Sequence, residues 1–277
     1  MVAGLHSLLV RRASAHYAKT TNEGSTTVSG DLVTMQAEPW EFPFDPKTTA
    51  LLVIDMQNDF TLPGGYCHQY MEARGLGGDD AIATLRTPIE PIQRCLDVAR
   101  KAGMTVIYTI ESHWADLSDA APPKMDGTIR VGAPIGAQGP HGRNLVRGDW
   151  GTEVIEELTP LPDEHVLHKA GKGGFVATDL DLILRSRGIT HLVFTGITSD
   201  CCVLFTRQGA RDRGYHTIQL DDACAASVKE NHDAIFNMIR FYLQGAPRST
   251  ISVEICGLLV GPFMAWISLC CPEERQV

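Results

Sequence analysis

From about residue 48 the chain alternates short apolar runs with longer segments whose apolar positions recur every three or four residues. The runs ALLVID (50–55), MTVIYTIE (104–111), HVLHK (165–169), HLVFTGI (191–197), YHTIQLDDAC (215–224) and STISVEI (249–255) predict strands. Runs that are apolar throughout, rather than at every second position, belong to strands buried on both faces. The intervening segments predict helices over 81–103, with Pro88 and Pro91 near the start and Gly103 at the close, and over 178–188, with Thr178 as N-cap and Gly188 at the end. Two more follow over 201–214 and 229–243. Strands alternating with helices imply an α/β fold with a mostly parallel sheet covered on both sides. Residues 112–152 interrupt this rhythm: they are rich in Gly and Pro and read as irregular. A connection that long inside a compact domain usually serves function.

In an open parallel sheet, ligands gather at the C-terminal ends of the strands. Three reactive side chains fall there. Asp55 ends ALLVID, Lys169 ends HVLHK, and Cys202 follows the short turn after HLVFTGI, where a helix begins. A helix N-terminus offers unpaired N–H groups and partial positive charge, which favour a thiolate and can hold an oxyanion. Gln57, Asn58 and Phe60, just beyond Asp55, are candidates for a pocket wall, whereas Asp59 reads as a turn or cap residue. Glu111, at another strand end, suits either a substrate N–H or a cation. Lys172 suits either a ureido carbonyl or solvent, and Arg147 and Gln244 are further candidates.

Composition narrows the function classes. A net charge of −9 with no clustered basic runs beyond Arg11 and Arg12 argues against nucleic acid as a partner. Eight Cys without a C-x-x-C pair or zinc-finger spacing read as reduced thiols, and no cofactor is expected. Residues 1–35 are polar, and their first acidic residue, Glu23, comes after Arg11, Arg12 and Lys19. They read as a disordered extension, or alternatively as a mitochondrial presequence, so the expected location is cytoplasmic with mitochondrial as the alternative. Residues 36–277 read as one domain. Its apolar stretch 255–271 is shorter than the ~20 residues of a spanning helix and contains Pro262. Burial against the body or an oligomer partner fits it better than membrane insertion.

The motifs LLVIDMQNDF, HKAGKGGFVATDLDLILRSRGI and HLVFTGITSDCCV, in this order, resemble the isochorismatase-like cysteine hydrolases from about residue 45 to residue 245. Within that family, YTIESHWADLSD, GRNLVRGDWGTEVIEELTPLP and GKGGFVATDLDLILR look most like biuret hydrolases, with ureidoacrylate amidohydrolases close behind. The resemblance implies a three-layer Rossmann-like fold with a six-stranded, mostly parallel sheet. It implies an Asp55–Lys169–Cys202 triad, a cis peptide between Ile197 and Thr198, and an oxyanion site from the Thr198 and Cys202 N–H groups. It implies cleavage of a small linear amide or ureide through a thioester, in dimers or tetramers. The family nucleophile is the sixth residue after the Gly of T-G-[IV] and precedes Val, which selects Cys202 over Cys201. Nicotinamidases of the superfamily bind zinc through Asp-x-His and a further His, whereas ESHWADLSD offers His113 alone, so the resemblance implies no metal. Departures occur at Gly173, where many relatives have Ser, at Ser112–His113, where biuret hydrolases read Gly-His, and after Gly245. Ureidoacrylate and N-carbamoyl amino acids remain alternative substrates. Cys202 argues against vinyl-ether hydrolysis of the isochorismatase type, and the intact triad argues against a non-catalytic scaffold paralogue.

Overall fold

The computed structural model describes residues 32–35, 37 and 41–243. The predicted N-terminal extension (apart from residues 32–35), the predicted strand 249–255, the apolar stretch 255–271 and Gln244 lie outside the described residues.

Strands β1 (Val33–Met35) and β2 (Phe42–Phe44) pair antiparallel ahead of the main sheet. That sheet contains β3 (Thr49–Ile54), β4 (Thr105–Glu111), β7 (His165–Lys169), β8 (His191–Ile197) and β9 (His216–Ala225). A small antiparallel pair, β5 (Gln138–Gly139) and β6 (Gly142–Arg143), lies between β4 and β7 in the chain. The main order is β7-β4-β3-β8-β9, with every pairing parallel. The resemblance implies six strands. The described residues form five, and the run that predicts the sixth lies beyond them.

β3 sits at the centre and is buried at every position, as a run without alternation requires. Two apolar clusters cover the sheet. Leu51, Val53, Val106 and Tyr108 pack with Leu85, Ile92 and Leu96 on one face. Leu52, Ile54, Leu192 and Phe194 pack with Leu180, Leu184, Val203 and Ala210 on the other. Helix, sheet and helix thus form three layers.

The helices are α1 (Asn58–Thr61), α2 (Tyr66–Ala73), α3 (Gly78–Arg86), α4 (Ile89–Lys101), α5 (Pro122–Val131), α6 (Leu180–Ser186), α7 (Cys202–Asp212) and α8 (Lys229–Met238). The sequence reading has no counterpart for α1 and α2, and it differs from the structure at three further places. The segment 81–103 is two helices, because Pro88 has no N–H to extend α3, while its carbonyl accepts from Ile92 at 2.9 Å to begin α4. The span 112–152 is not irregular throughout: α5 enters on two prolines and ends at Gly132 with φ 92°. Its only buried residue is Thr128, and Ile129 is exposed, so it carries little apolar periodicity to read. Helix α6 begins at Leu180, whose amide donates to Thr178 Oγ1 at 3.3 Å although Asp179 occupies the capping position. The last helix continues as a π-helical turn over Ile239–Leu243.

Candidate active site

The parallel register brings several polar side chains to one edge of the sheet. Asp55 follows β3 with a left-handed φ of 53° and is fully buried. Its amide donates to the Thr109 carbonyl at 3.0 Å, and its Oδ1 accepts from Thr109 Oγ1 at 2.8 Å. Glu111 ends β4 and Lys169 ends β7, directly paired in register. Lys169 Nζ lies 2.8 Å from Asp55 Oδ2 and 3.7 Å from Glu111 Oε2, with all three side chains fully buried. Cys202 opens α7, and its Sγ donates to Glu111 Oε2 at 3.5 Å. A sulfur, an Asp oxygen and a Glu oxygen here lie within 4.8 Å of one another.

Glu111 is the hub of this arrangement. Lys124 from α5 reaches its Oε1 at 2.6 Å, and Lys172, in the loop after β7, reaches Oε1 at 2.9 Å and Oε2 at 3.1 Å. Lys124 also donates to the Ala170 carbonyl at 2.7 Å and to His113 Nε2 at 2.9 Å. Since the ammonium can only donate, His113 carries its proton on Nδ1, which donates to Asp119 Oδ1 at 3.2 Å. Asp119 also accepts from Arg147 at 3.3 Å, and that guanidinium lies 4.0 Å over the Trp114 ring.

The two carboxylates beside the thiol are driven in opposite directions. Burial raises Asp55 above the ordinary carboxylate range, with Lys169 pulling back only part of the way and Glu111 adding to the rise. Burial would raise Glu111 as well, but Lys172, Lys169 and Lys124 together hold it well below its usual range. Burial opposes the charge on Lys169, yet Asp55, Cys202 and Glu111 outweigh it and keep the ammonium protonated. The hydrogen bond with Cys201 and then burial push the Cys202 thiol well up, against the pull of Lys169. At rest Cys202 is therefore a thiol. Cys201 is half-buried, and its thiol is drawn down by that same hydrogen bond.

The turn before α7 is built from backbone. The Ile197–Thr198 peptide is cis, as the family resemblance implies. The Thr198 carbonyl accepts from the Cys201 and Val203 amides at 3.0 and 3.1 Å. Among the described residues, no backbone carbonyl takes the Thr198 or Cys202 amide. Ser199 fixes the turn from below: its amide donates to Ala225 at 2.8 Å, and its hydroxyl lies 3.0 Å from His232 Nδ1. His232 Nε2 is in turn 2.8 Å from Asp221.

Comparison with known proteins places the chain in a family. Residues 49–252 match the isochorismatase domain family. The chain belongs to the isochorismatase family. This isochorismatase-family chain is 37% identical over 228 residues to the ureidoacrylate amidohydrolase RutB of Caulobacter vibrioides, covering 78% of this chain and 90% of that one. The same identity and coverage hold for RutB of Caulobacter segnis. Among solved structures it resembles a cysteine hydrolase from Pseudomonas syringae pv. phaseolicola, with TM-score 0.64, 26% identity, and coverage of 83% of this chain and 98% of that one. It also resembles N-carbamoylsarcosine amidase from Thermoplasma acidophilum, with TM-score 0.54, 30% identity, and coverage of 75% and 98%. The isochorismatase-like hydrolase fold, with its mostly parallel sheet, is thus shared along most of the chain.

The isochorismatase-family site brings Asp55, Lys169, Cys202, Glu111 and Lys172 together. The other sequence candidates have different surroundings. Gln57 uses both ends of its amide on the backbone of Glu111, at 3.1 and 2.9 Å, and so extends the sheet edge. Asn58 donates to the Trp150 carbonyl at 2.9 Å, and Phe60 is buried against Tyr66 with ring centroids 6.1 Å apart. Asp59 accepts from the Leu145 amide at 2.8 Å, the loop-fixing role expected of it. Lys124 escaped the sequence reading, and so did Ser199 and His232. Metal donors are present in Asp55, Glu111 and Cys202. Three ammonium groups crowd the same two carboxylates and offset the negative charge that a cation would need.

Proposed function

We propose that the chain is a metal-independent cysteine amidohydrolase that cleaves a linear ureide through a thioester on Cys202. The observation that carries this is the Cys202 thiol lying between two buried carboxylates of opposite character, one of them ion-paired to Lys169. Groups whose surroundings drive their proton affinities apart reveal their division of labour. Asp55, with the raised affinity, takes the thiol proton, while Glu111 stays ionised. The thiolate attacks the amide carbonyl, and the oxyanion settles on the Thr198 and Cys202 N–H groups with Lys169 beside it. Asp55 returns the proton to the departing amine. Water then adds to the thioester with Asp55 again as base, and the thiol is regenerated.

Ureidoacrylate, or an ureide of that kind, fits the site better than biuret. Three ammonium groups against two carboxylates give a net positive charge that suits a substrate carrying a carboxylate, and biuret has none. The identity to ureidoacrylate amidohydrolases supports the same choice. The test is ammonia release from ureidoacrylate, biuret, triuret and N-carbamoyl amino acids, repeated with Cys202→Ser and Cys201→Ser. Ureidoacrylate should be turned over fastest, and only Cys202→Ser should abolish turnover. Activity lost in Cys201→Ser alone would overturn the assignment of the nucleophile.

A further inference from the structure

We propose that Lys124 is a positioning residue of this site: by gripping one oxygen of Glu111 it keeps that carboxylate ionised and turned so that the other oxygen accepts from the Cys202 thiol, which leaves Asp55 as the group that takes the proton. This rests on the reading above, in which Cys202 is the nucleophile and Asp55 its base.

The geometry is specific. Lys124 Nζ meets Glu111 Oε1 at 2.6 Å, while the thiol meets Oε2 at 3.5 Å, so the two contacts divide the carboxylate between them. The remaining contacts of Lys124 fix its own position. The Ala170 carbonyl next to Lys169 accepts at 2.7 Å, and His113 Nε2 accepts at 2.9 Å. Asp119 holds His113 in the tautomer that leaves this nitrogen free to accept. Lys124 thereby ties α5 to Glu111, to the Ala170 carbonyl and to His113. Lys172 does not duplicate this role, because it spans both oxygens of Glu111 and its side chain is 40% exposed, whereas that of Lys124 is 14% exposed.

The groups facing Glu111 are Lys169 and Lys172 from β7 and its following loop, Lys124 from α5, Asp55 beyond β3, Cys202 and Cys201 at the start of α7, Tyr66 of α2 and His113 beyond β4. With Lys124 gone, two ammonium groups still hold Glu111, so its proton affinity should rise part of the way. Asp55, the carboxyl of higher proton affinity, sets the acid limb of activity, and loss of a nearby cation raises it too, so the limb moves to higher pH.

The experiment uses the full chain with Lys124→Met, Lys124→Arg and Glu111→Gln. For Lys124→Met the acid limb of kcat/KM should move up by about one pH unit, with Lys124→Arg restoring most of it. Iodoacetamide labelling of Cys202, resolved from Cys201 by fragmentation mass spectrometry, reads the same electrostatics without any substrate. At neutral pH, Lys124→Met should slow labelling about threefold, because a cation is lost, and Glu111→Gln should speed it, because an anion is lost. If no ureide is turned over by the wild type, the proposed function fails, yet the opposed labelling changes would still support this role for Lys124. A folded Lys124→Met with an unmoved acid limb and wild-type labelling overturns it, as does an equal loss of kcat at all pH with unchanged labelling. Should Lys124→Met not fold, Lys124→Gln takes its place in both measurements.

Discussion

On one side of Cys202 the chain places charge, and on the other it places neutral backbone. The charged wall consists of Asp55, Glu111, Lys124, Lys169 and Lys172, gathered from the ends of three strands, one loop and one helix. The backbone wall is the turn from Ile197 to Val203, held by amide-to-carbonyl bonds and by Ser199 on Ala225 and His232. A buried charge left without its partner is costly, so the first wall stands only if nearly all its members are present. The second has alternatives in water and neighbouring amides, and a lost hydrogen bond costs less. Substitutions in the charged wall should therefore have large, pH-dependent effects. Those in the turn should have smaller, pH-independent effects unless they alter the path of the chain.

The sharpest test concerns the atom that both walls share. Cys202→Ser should lower kcat at least about a thousandfold while leaving the fold intact, because the proposed nucleophile is lost and both walls remain. Cys201→Ser should keep activity within about tenfold. Next is Lys169→Met, which strips Asp55 of its 2.8 Å partner and should cost about 3–5 kcal/mol by urea denaturation at neutral pH. The sign of its pH dependence follows from Asp55. Its proton affinity is already raised by burial and rises further without the ammonium, so the native state binds the proton more tightly than the unfolded chain. The penalty should shrink as the pH falls toward the ordinary carboxylate range and grow as it rises. A penalty equal at pH 5 and pH 8 would break the contrast between the walls.

These walls were not equally legible in the sequence. Asp55 and Cys202 can be read because each ends or follows a continuous apolar run, and Lys169 because it closes a short strand-like run that also holds His165 and His168; a parallel sheet collects such ends at one edge. The turn was legible because its backbone chemistry travels with a short motif, GITSDCCV. Lys124 was not, since α5 buries only Thr128 and so lacks the stripe that reveals a helix. Gln57 reads as a pocket-wall residue because sequence cannot say whether an amide faces a ligand or substitutes for a strand partner, as it does here on Glu111. The number of strands depends on a run outside the described residues, whereas the alternation of strands with helices predicts a parallel sheet, and the five strands of the main sheet all pair in parallel.

Gly196 tests the exception in the turn. Its φ is 104°, and a Cβ there would lie 2.1 Å from the Ile54 carbonyl oxygen, in the strand that leads to Asp55. Gly196→Ala must therefore displace either β8 or β3, and about 3 kcal/mol should be lost by urea midpoint at every pH from 5 to 8. A loss that varied with pH would mean that the displacement reaches the Asp55–Lys169 pair and that the two walls move as one.

The smallest effect should come from Ser199→Ala. This removes the hydroxyl 3.0 Å from His232 Nδ1 but leaves the Ser199 amide on Ala225 and His232 Nε2 on Asp221. One neutral hydrogen bond among several is worth about 1 kcal/mol, so the urea midpoint should fall slightly and kcat by no more than about tenfold. His232→Asn, measured alongside, removes the imidazole from the same series and should cost a similar amount, because the turn depends on backbone bonds that neither substitution touches. A Ser199→Ala loss as large as that of Lys169→Met would show that the turn depends on this one side-chain bond as heavily as the first wall depends on its ion pair, and the contrast between the walls would fail.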